Sequence, residues 1–370
     1  MIGSMATIPA ARSGAVGRRS RLPHRLWQPL ALLVLAGGAA IAPPAGGIGQ
    51  PAAPASLIRA SAPHADLSVL TYNVKGLPFA VAGDRSAELR AIGDRLAMLR
   101  AAGRQPGVVV LQEAFIEQAR AIGDRAGYPY HVVGPCCRAS GDVPGIERNW
   151  LRGETAGTLV DSGLVLLSDH PIESVERAAF TGADCAGYDC LAAKGVLLVT
   201  VAIPGKGRVA IATTHLNSNK ASGAPVAEAT AAYARQTRFL GQWLARHRDS
   251  AIPMILAGDM NRGRRPARIA SLEHALDGLS ERKPDEALAS RLAASSVRGS
   301  KSDAAWIVRR GRDIQFMFDG RGSRIDPEHA EILFGTEPDG TRLSDHMGYA
   351  ISYRISDAPE GGMSGRASAR

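Results

Sequence analysis

Five hydrophobic runs in this sequence are bounded abruptly by a carboxylate, an amide or an imidazole. They are LSVLTYNVKGLP with Asn73, VVVLQEAF with Glu113, VAIATTHLNS with His215 and Asn217, IPMILAGDMN with Asp259 and Asn261, and RLSDHMGYAI with Asp345 and His346. One such boundary is usually a strand meeting solvent. Five that converge bring carboxylates together, and these repel one another unless a cation sits among them. Oxygen ligands and a lone Glu select a hard ion, Mg²⁺ or else Mn²⁺ or Ca²⁺, over zinc. Two histidines beside paired acids and amides suit attack by water on a phosphodiester. One imidazole takes the proton from water, the other donates to the non-bridging oxygens, and the metal neutralises the charge that builds there. There is no GxSxG elbow, and Ser344 lacks a strand–turn–helix context, so no covalent nucleophile is expected.

These residues need strands to carry them. Short β-branched runs predict strands over Leu67–Asn73, Val108–Gln112, Tyr130–Val133, Ser162–Leu167, Gly195–Ala202, Val209–Leu216, Met254–Gly258, Ile314–Phe318 and Met347–Tyr353. Helical spacing predicts helices over Ala87–Ala101, Phe115–Ala126 and Pro225–Arg246, with a weaker one over Ala267–Ala275. Many strands, few helices and no regular βαβ alternation predict an α/β fold. The expected form is a four-layer sandwich of two packed mixed β-sheets flanked by helices.

Taken in this order, the five segments resemble the endonuclease/exonuclease/phosphatase superfamily, the deoxyribonuclease-I-like fold. The resemblance covers residues 66–355. It implies that Glu113 is the principal metal ligand, with Asn73 beside it and Asp345 close to the ion. It implies His215 as the acid or phosphate-contacting histidine, Asp259 as the residue orienting water, Asn261 as a transition-state contact and His346 as the general base. The family's late-strand Asp that holds the base histidine falls on Asp313 in GRDIQFMFD, a strand that Gln315 and Asp319 make atypical.

Within that superfamily the phosphodiester is not set by the fold. Three segments lean towards bacterial neutral sphingomyelinases. TYNVKGLP and DSGLVLLSDHPI resemble their strand segments, and YDCLAAKGVLLVTV resembles their Asp–Lys element, with Asp189 and Lys194 at the matching positions. A lysine at the mouth could neutralise a phosphate and the acid could hold it or face a cationic choline head, and Asn217 is taken as a further substrate contact. The plain alternative is a solvated loop pair of little energetic weight. Membrane-acting relatives often display exposed aromatics, and here Ile332, Leu333 and Phe334 equally suit a packed strand. With 5% aromatic residues there is little to spare. The expected substrate is a phospholipid at a membrane surface, and the expected state a monomer.

Two other readings stay open. A secreted nuclease needs a basic groove, for which Arg262, Arg264, Arg265 and Arg268 just after Asn261, and Arg309, Arg310 and Arg312, are the candidates. A binding protein with a decayed site is the other, although every expected catalytic position holds a competent residue. The net charge of +9 does not itself point to a polyanion. Six arginines stand in the first 60 residues with no acid among them, leaving +3 for residues 61–370.

That basic start precedes the apolar run Leu26–Ala42, 17 residues with Gln28 and Pro29 inside, and then an Ala/Pro/Gly-rich stretch. The pattern matches a secretory signal over residues 1–42, a membrane anchor being the alternative, with a linker over 43–65. The expected location is secreted, periplasmic or at the cell envelope. Residues 356–370 are small and polar and read as a tail. Four cysteines suit an oxidising compartment, with Cys185 and Cys190 in CAGYDC the favoured bridge and cross-pairing with Cys136 or Cys137 also open.

Overall fold

Alternate residues of each central strand face two different apolar layers, which accounts for the near-continuous hydrophobic runs. The computed structural model describes residues 65–138 and 145–357. Its strands are β1 (Leu67–Gly76), β2 (Val108–Ala114), β3 (Tyr130–Val133), β4 (Val165–Ser168), β5 (Ile172–Ala179), β6 (Gly195–Ile203), β7 (Gly207–His215), β8 (Met254–Asp259), β9 (Val297–Arg298), β10 (Asp313–Phe318), β11 (Ser323–Phe334) and β12 (Gly348–Asp357). One sheet has the order β3-β4-β2-β1-β12-β11-β9 and the other β10-β8-β7-β6-β5. Both are mixed: β1 runs parallel to β2 and β7 parallel to β8, while most other neighbours are antiparallel.

A parallel pair needs a crossover, and each sheet supplies a helical one. The helices are α1 (Phe79–Ala82), α2 (Ser86–Ala101), α3 (Glu117–Arg120), α4 (Ile122–Ala126), α5 (Val226–His247), α6 (Pro266–Leu276), α7 (Ala287–Ala293) and α8 (Lys301–Arg310). Helix α2 returns the chain from β1 to β2, and α5 from β7 to β8. Leu67, Val69, Val108, Val110, Val209, Ile211 and Ile255 meet between the sheets. The opposite faces pack outward: Leu70, Tyr72, Val109 and Leu111 against α2, α3 and α4, and Ala210, Ala212, Met254 and Leu256 against α5 and α6. The arrangement is the four-layer sandwich the sequence predicts.

Six elements lie outside the predicted set: β5, β9, β11, α1, α7 and α8. β5 and β11 carry Glu173, Glu176 and Arg177, and Arg324, Glu328 and Glu331, which hide their strand character. β5 is a sheet edge, and on its outer side β11 borders only the two-residue β9. Pro327 of β11 stands at a register shift against β12, where a missing N–H is tolerated. Helices α7 and α8 were likewise unread, and the predicted helix over 115–126 is two short ones. β12 runs to Asp357, two residues into the expected tail. The expected export segment, the linker through residue 64 and the tail beyond Asp357 lie outside the described residues. No described helix is long and apolar enough to cross a membrane.

Candidate active site

The register of the smaller sheet sets three functional groups on one rung. His215 of β7 pairs with Asp259 of β8, and Asp259 pairs with Asp313 of β10. All three follow the inward alternation of their strands and end up buried between the sheets. In the larger sheet, Asn73 of β1 faces the same space. Alternation alone would turn Glu113 outward, but its φ of 55° swings the chain so that its carboxylate accepts from Asn73 Nδ2 at 2.8 Å. Asn73 Nδ2 also reaches Asp259 Oδ2 at 3.2 Å, joining the two sheets. Lys75 and Asn261 share the positive φ, at 53° and 44°. Three of the four non-glycine residues in this costly region among those described therefore sit at these strand ends, where strain gathers at functional sites.

Just before β12, Ser344 and His346 point inward and Asp345 outward. Ser344 Oγ donates to the Asn73 carbonyl at 2.7 Å. His346 Nδ1 donates to both oxygens of Asp313 at 2.9 and 2.8 Å, and its Nε2 lies 3.8 Å from Asp259 Oδ2. Gln315 does not disturb this pairing. It faces the second sheet, donates to the Val69 carbonyl at 3.1 Å and accepts from the Tyr353 hydroxyl at 3.0 Å. Asp319 lies apart and holds Arg282.

The two imidazoles have opposite surroundings. Burial works against charge on His346, but Asp313 and Asp259, the hydrogen bond to Asp313 and Glu113 outweigh it and push the ring up to about 10. Burial and then the Lys194 ammonium push His215 down to about 3, against the pull of Asp259 and Asp189. Burial also opposes charge on Asp259, yet His346, His215, the Asn261 N–H and Lys194 hold it down at about 2. Burial holds Glu113 above the usual carboxylate range despite Asn73 and His346.

A family model for the Endonuclease/Exonuclease/phosphatase family matches residues 70–326. The chain belongs to that family. The SDH segment at 344–346 lies beyond the matched stretch and joins the site through His346. None of the curated proteins compared matches the chain in sequence. Among solved structures, the fold is similar to sphingomyelinase C from Streptomyces griseocarneus, with TM-score 0.54, 23% identity, and 77% of this chain and 98% of that one covered. It is also similar to a mutant beta toxin from Staphylococcus aureus with bound magnesium ions, with TM-score 0.54, 16% identity and 78% and 99% covered. A third is D. rerio TDP2 complexed with single strand DNA product, with TM-score 0.51, 18% identity and 78% and 98% covered.

Members of the family are metal-dependent hydrolases of phosphodiesters, and the donor set here fits a hard divalent cation. Glu113, His215 and Asp259 each bring one ligand atom within 4.8 Å of the others, as do Asp259, Asp313 and His346. The half-buried Glu113 carboxylate has the neutral amide of Asn73 as its hydrogen-bond partner and no basic side chain. Asp345 is not in either cluster: the alternation that brings His346 in turns it out, where it is 58% exposed and faces Lys75 at 3.7 Å.

Asp189 and Lys194 are not a solvated pair. Lys194 Nζ is buried 2.9 Å from Asp189 Oδ1, 3.3 Å from His215 Nε2 and 3.3 Å from the Leu216 carbonyl. Asp189 also accepts from the Ser218 N–H, and the Cys185–Cys190 disulfide closes the loop that carries it. Cys136 and Cys137 are free and exposed. Asn217 is buried, with Oδ1 accepting from the Ala186 N–H at 3.0 Å and Nδ2 donating to the Ser218 carbonyl at 2.8 Å, so its side chain braces the disulfide loop.

The basic cluster after Asn261 breaks up. Arg262 is paired with Glu286, Arg264 and Arg265 are exposed, and Arg268 is fully buried. Its Pro-Ala-Arg context at a helix start gave no sign of burial. Lys75 was also missed, although the Lys-Gly after Asn73 was a turn signal.

Proposed function

We propose that this chain is an exported, divalent-cation-dependent phosphodiesterase of the sphingomyelinase C type, acting on a phospholipid head group at a membrane surface. One observation carries the choice of substrate: most of the exposed large apolar side chains stand on segments at the catalytic end of the sheets. Six of the seven exposed large apolar side chains among the described residues (Phe79, Val81, Trp150, Leu151, Leu159 and Val226) stand on segments that leave the sheets at the catalytic end. Phe79 and Val81 follow β1 directly. The β3–β4 connection leaves where Val133 pairs with Val165, and Val165 with Leu111, just before Glu113. It crosses to the other sheet through the Val160–Ala192 bridge, and its Arg152 pairs with Glu228 at the start of α5, beside Val226. Phe79 is 76% and Trp150 72% exposed, large penalties for a protein that meets only water. Phe334, by contrast, is buried and stacked on Tyr72 at 4.7 Å. A nuclease needs a basic groove at this mouth, and the arginine cluster that would form it is depleted: Arg262 is paired with Glu286 and Arg268 is buried, leaving only Arg264 and Arg265 exposed.

In this reading Glu113, with Asn73, would hold the cation, which would supply positive charge for the phosphate and weaken the carboxylate field on His346. Asp259 Oδ2 orients the attacking water, and His346 Nε2 takes its proton while Asp313 fixes the ring through Nδ1. His215, kept neutral by burial and Lys194, donates a hydrogen bond to a phosphate oxygen rather than delivering a proton. Lys194 adds its ammonium on the same side. Asn261 contacts the developing charge.

The test is a substrate panel with Mg²⁺, Mn²⁺ and Ca²⁺ added singly: sphingomyelin vesicles, DNA and bis-p-nitrophenyl phosphate. Phosphocholine release from vesicles without DNA cleavage is expected. DNA cleavage with steep salt dependence would reverse the assignment. Phe79→Ser and Trp150→Ser should each lower vesicle turnover about tenfold, as removing about 1.5 kcal/mol of apolar transfer does, and leave the small diester untouched. Equal loss on both substrates would remove the mouth from the argument.

A further inference from the structure

Arg268, in the first turn of α6, is the largest side chain fully removed from solvent among the described residues. One terminal nitrogen, Nη1, donates to the carbonyls of Asn217 at 2.8 Å and Asn261 at 2.9 Å. The other, Nη2, donates to the Ala229 carbonyl at 2.9 Å, and the guanidinium lies 4.4 Å from the centre of the Tyr233 ring. Its partners are three carbonyls and a ring, with no carboxylate among them. A buried cation held without an acid is costly for stability, and an apolar side chain of similar size serves packing at least as well. The position of the three carbonyls indicates what the charge is kept for.

They belong to three separate segments: the loop leaving β7, the loop leaving β8 and the first turns of α5. The first two carry His215 and Asp259 at their roots. Asn261 adopts a φ of 44° and donates from Nδ2 to the Leu216 carbonyl at 3.0 Å. The same carbonyl receives Lys194 Nζ at 3.3 Å, and Lys194 lies 3.3 Å from His215 Nε2. One planar fork thus ties the strained peptide of Asn261 to the peptide of Asn217, and through them fixes the carbonyl that places Lys194 against His215. A fork with fixed donor directions can hold two carbonyls of different loops at one separation, which a flexible ammonium cannot.

We infer that Arg268 is a positioning residue for phosphodiester hydrolysis. It sets the spacing between the loops after β7 and β8, and so the relation of His215 and Lys194 to Asp259 and Asn261. The inference rests on the phosphodiesterase reading for its kinetic arm alone.

The test uses the full chain with Mg²⁺ and bis-p-nitrophenyl phosphate, and hydrogen exchange on the same samples. Arg268→Ala should lower kcat about a hundredfold with KM little changed, the cost of misplacing catalytic groups by about an ångström. Methylguanidinium chloride should restore part of that kcat where the same concentration of NaCl does not. Arg268→Lys should fall between Ala and wild type. Both variants should lose exchange protection at residues 216–219 and 260–263 and keep it in β1, β6 and β12. Wild-type kcat in Arg268→Lys, or rescue by NaCl alone, would overturn the inference. If Arg268→Ala does not fold, Arg268→Lys decides by kinetics and exchange together. If the wild type hydrolyses no diester, the functional reading fails, and unchanged exchange at the two loops still sinks the positioning role.

Discussion

His346 and His215 both close a buried strand end of the same pocket, yet their surroundings drive them apart. His346 is enclosed by Asp313, Asp259 and Glu113, and its ring is pushed up to about 10. His215 Nε2 also lies 3.5 Å from Asp259 Oδ2, but burial and Lys194 outweigh that pull, and its ring is pushed down to about 3. The residue type is the same, and the partners delivered by neighbouring strands decide what each can do. A ring with a carboxylate on Nδ1 is oriented and basic, suited to accepting a proton. A ring with an ammonium 3.3 Å from Nε2 stays neutral and can only share a hydrogen bond. Such separated environments are how a site with two similar groups acquires two roles.

The largest effect should come from the acidic wall. His346→Ala is expected to lower kcat on a small diester by about ten-thousandfold or more, and Asp259→Ala similarly, because a proton acceptor and the group that orients its water act as a unit. His215→Ala should cost only about a hundredfold, the weight of one transition-state hydrogen bond. Steady-state kinetics on folded variants checks the ranking. An order reversed between the two histidines would break the contrast at its root.

The acidic wall was also the more legible half in the sequence. Runs ending in GDMN, in THLNS and around SDH mark strand ends by composition alone, and strand alternation explains why His346 turns in while Asp345 turns out. Asp313 was readable despite Gln315 and Asp319, because only the inward alternation mattered. Glu113 was found by its motif, but its backbone turn at a φ of 55° had no local signal in VVVLQEAF. The Lys194 wall was half visible. The Asp–Lys spacing was noticed, but its burial depends on a disulfide loop and on the β7 loop lying across it, contacts far apart in sequence. Arg268 stands in the sequence only as one of a basic cluster that could line a groove, because nothing local tells a buried guanidinium at a helix start from an exposed one. β5 and β11 escaped for a related reason: near a sheet's edge the outward residues are charged, and the apolar alternation is diluted.

A cation should act on one wall and spare the other. Glu113 is one of the groups that charge His346, so a divalent ion shared by the carboxylates should pull the His346 ring well below about 10, towards neutrality. Imidazole NMR with and without Mg²⁺ reads the change. Glu113→Gln should weaken the response to Mg²⁺, and the His215 signals should move far less. A His346 titration that ignores Mg²⁺ in the wild type would mean that the ion is held elsewhere.

The smallest effect concerns the stability of the metal-free protein in acid. An unfolded His215 takes up a proton below its ordinary value of 6.5, whereas the folded ring resists until about 3. Between those values the unfolded state binds more protons, so stability contributed by the neutral buried ring is present above 6.5 and lost as pH falls towards about 3. His346 has the opposite sign: its contribution is full below 6.5 and lost as pH rises through about 10. Lys194→Met, made with Asp189→Asn so that no carboxylate is stranded, removes the second cause of the low His215 value together with the weaker opposing pull of Asp189, and leaves burial, the largest cause, in place. The acid slope of the melting temperature between pH 6 and 4, roughly the middle of the affected window, should therefore become shallower without vanishing, while the alkaline slope above pH 8, roughly the upper half of the His346 window, stays as in the wild type. Thermal melts in matched buffers measure both. If the double substitution changed the alkaline slope instead, Lys194 would be acting on the His346 ring itself and not on Asp259 alone, and the contrast between the two histidines would not hold.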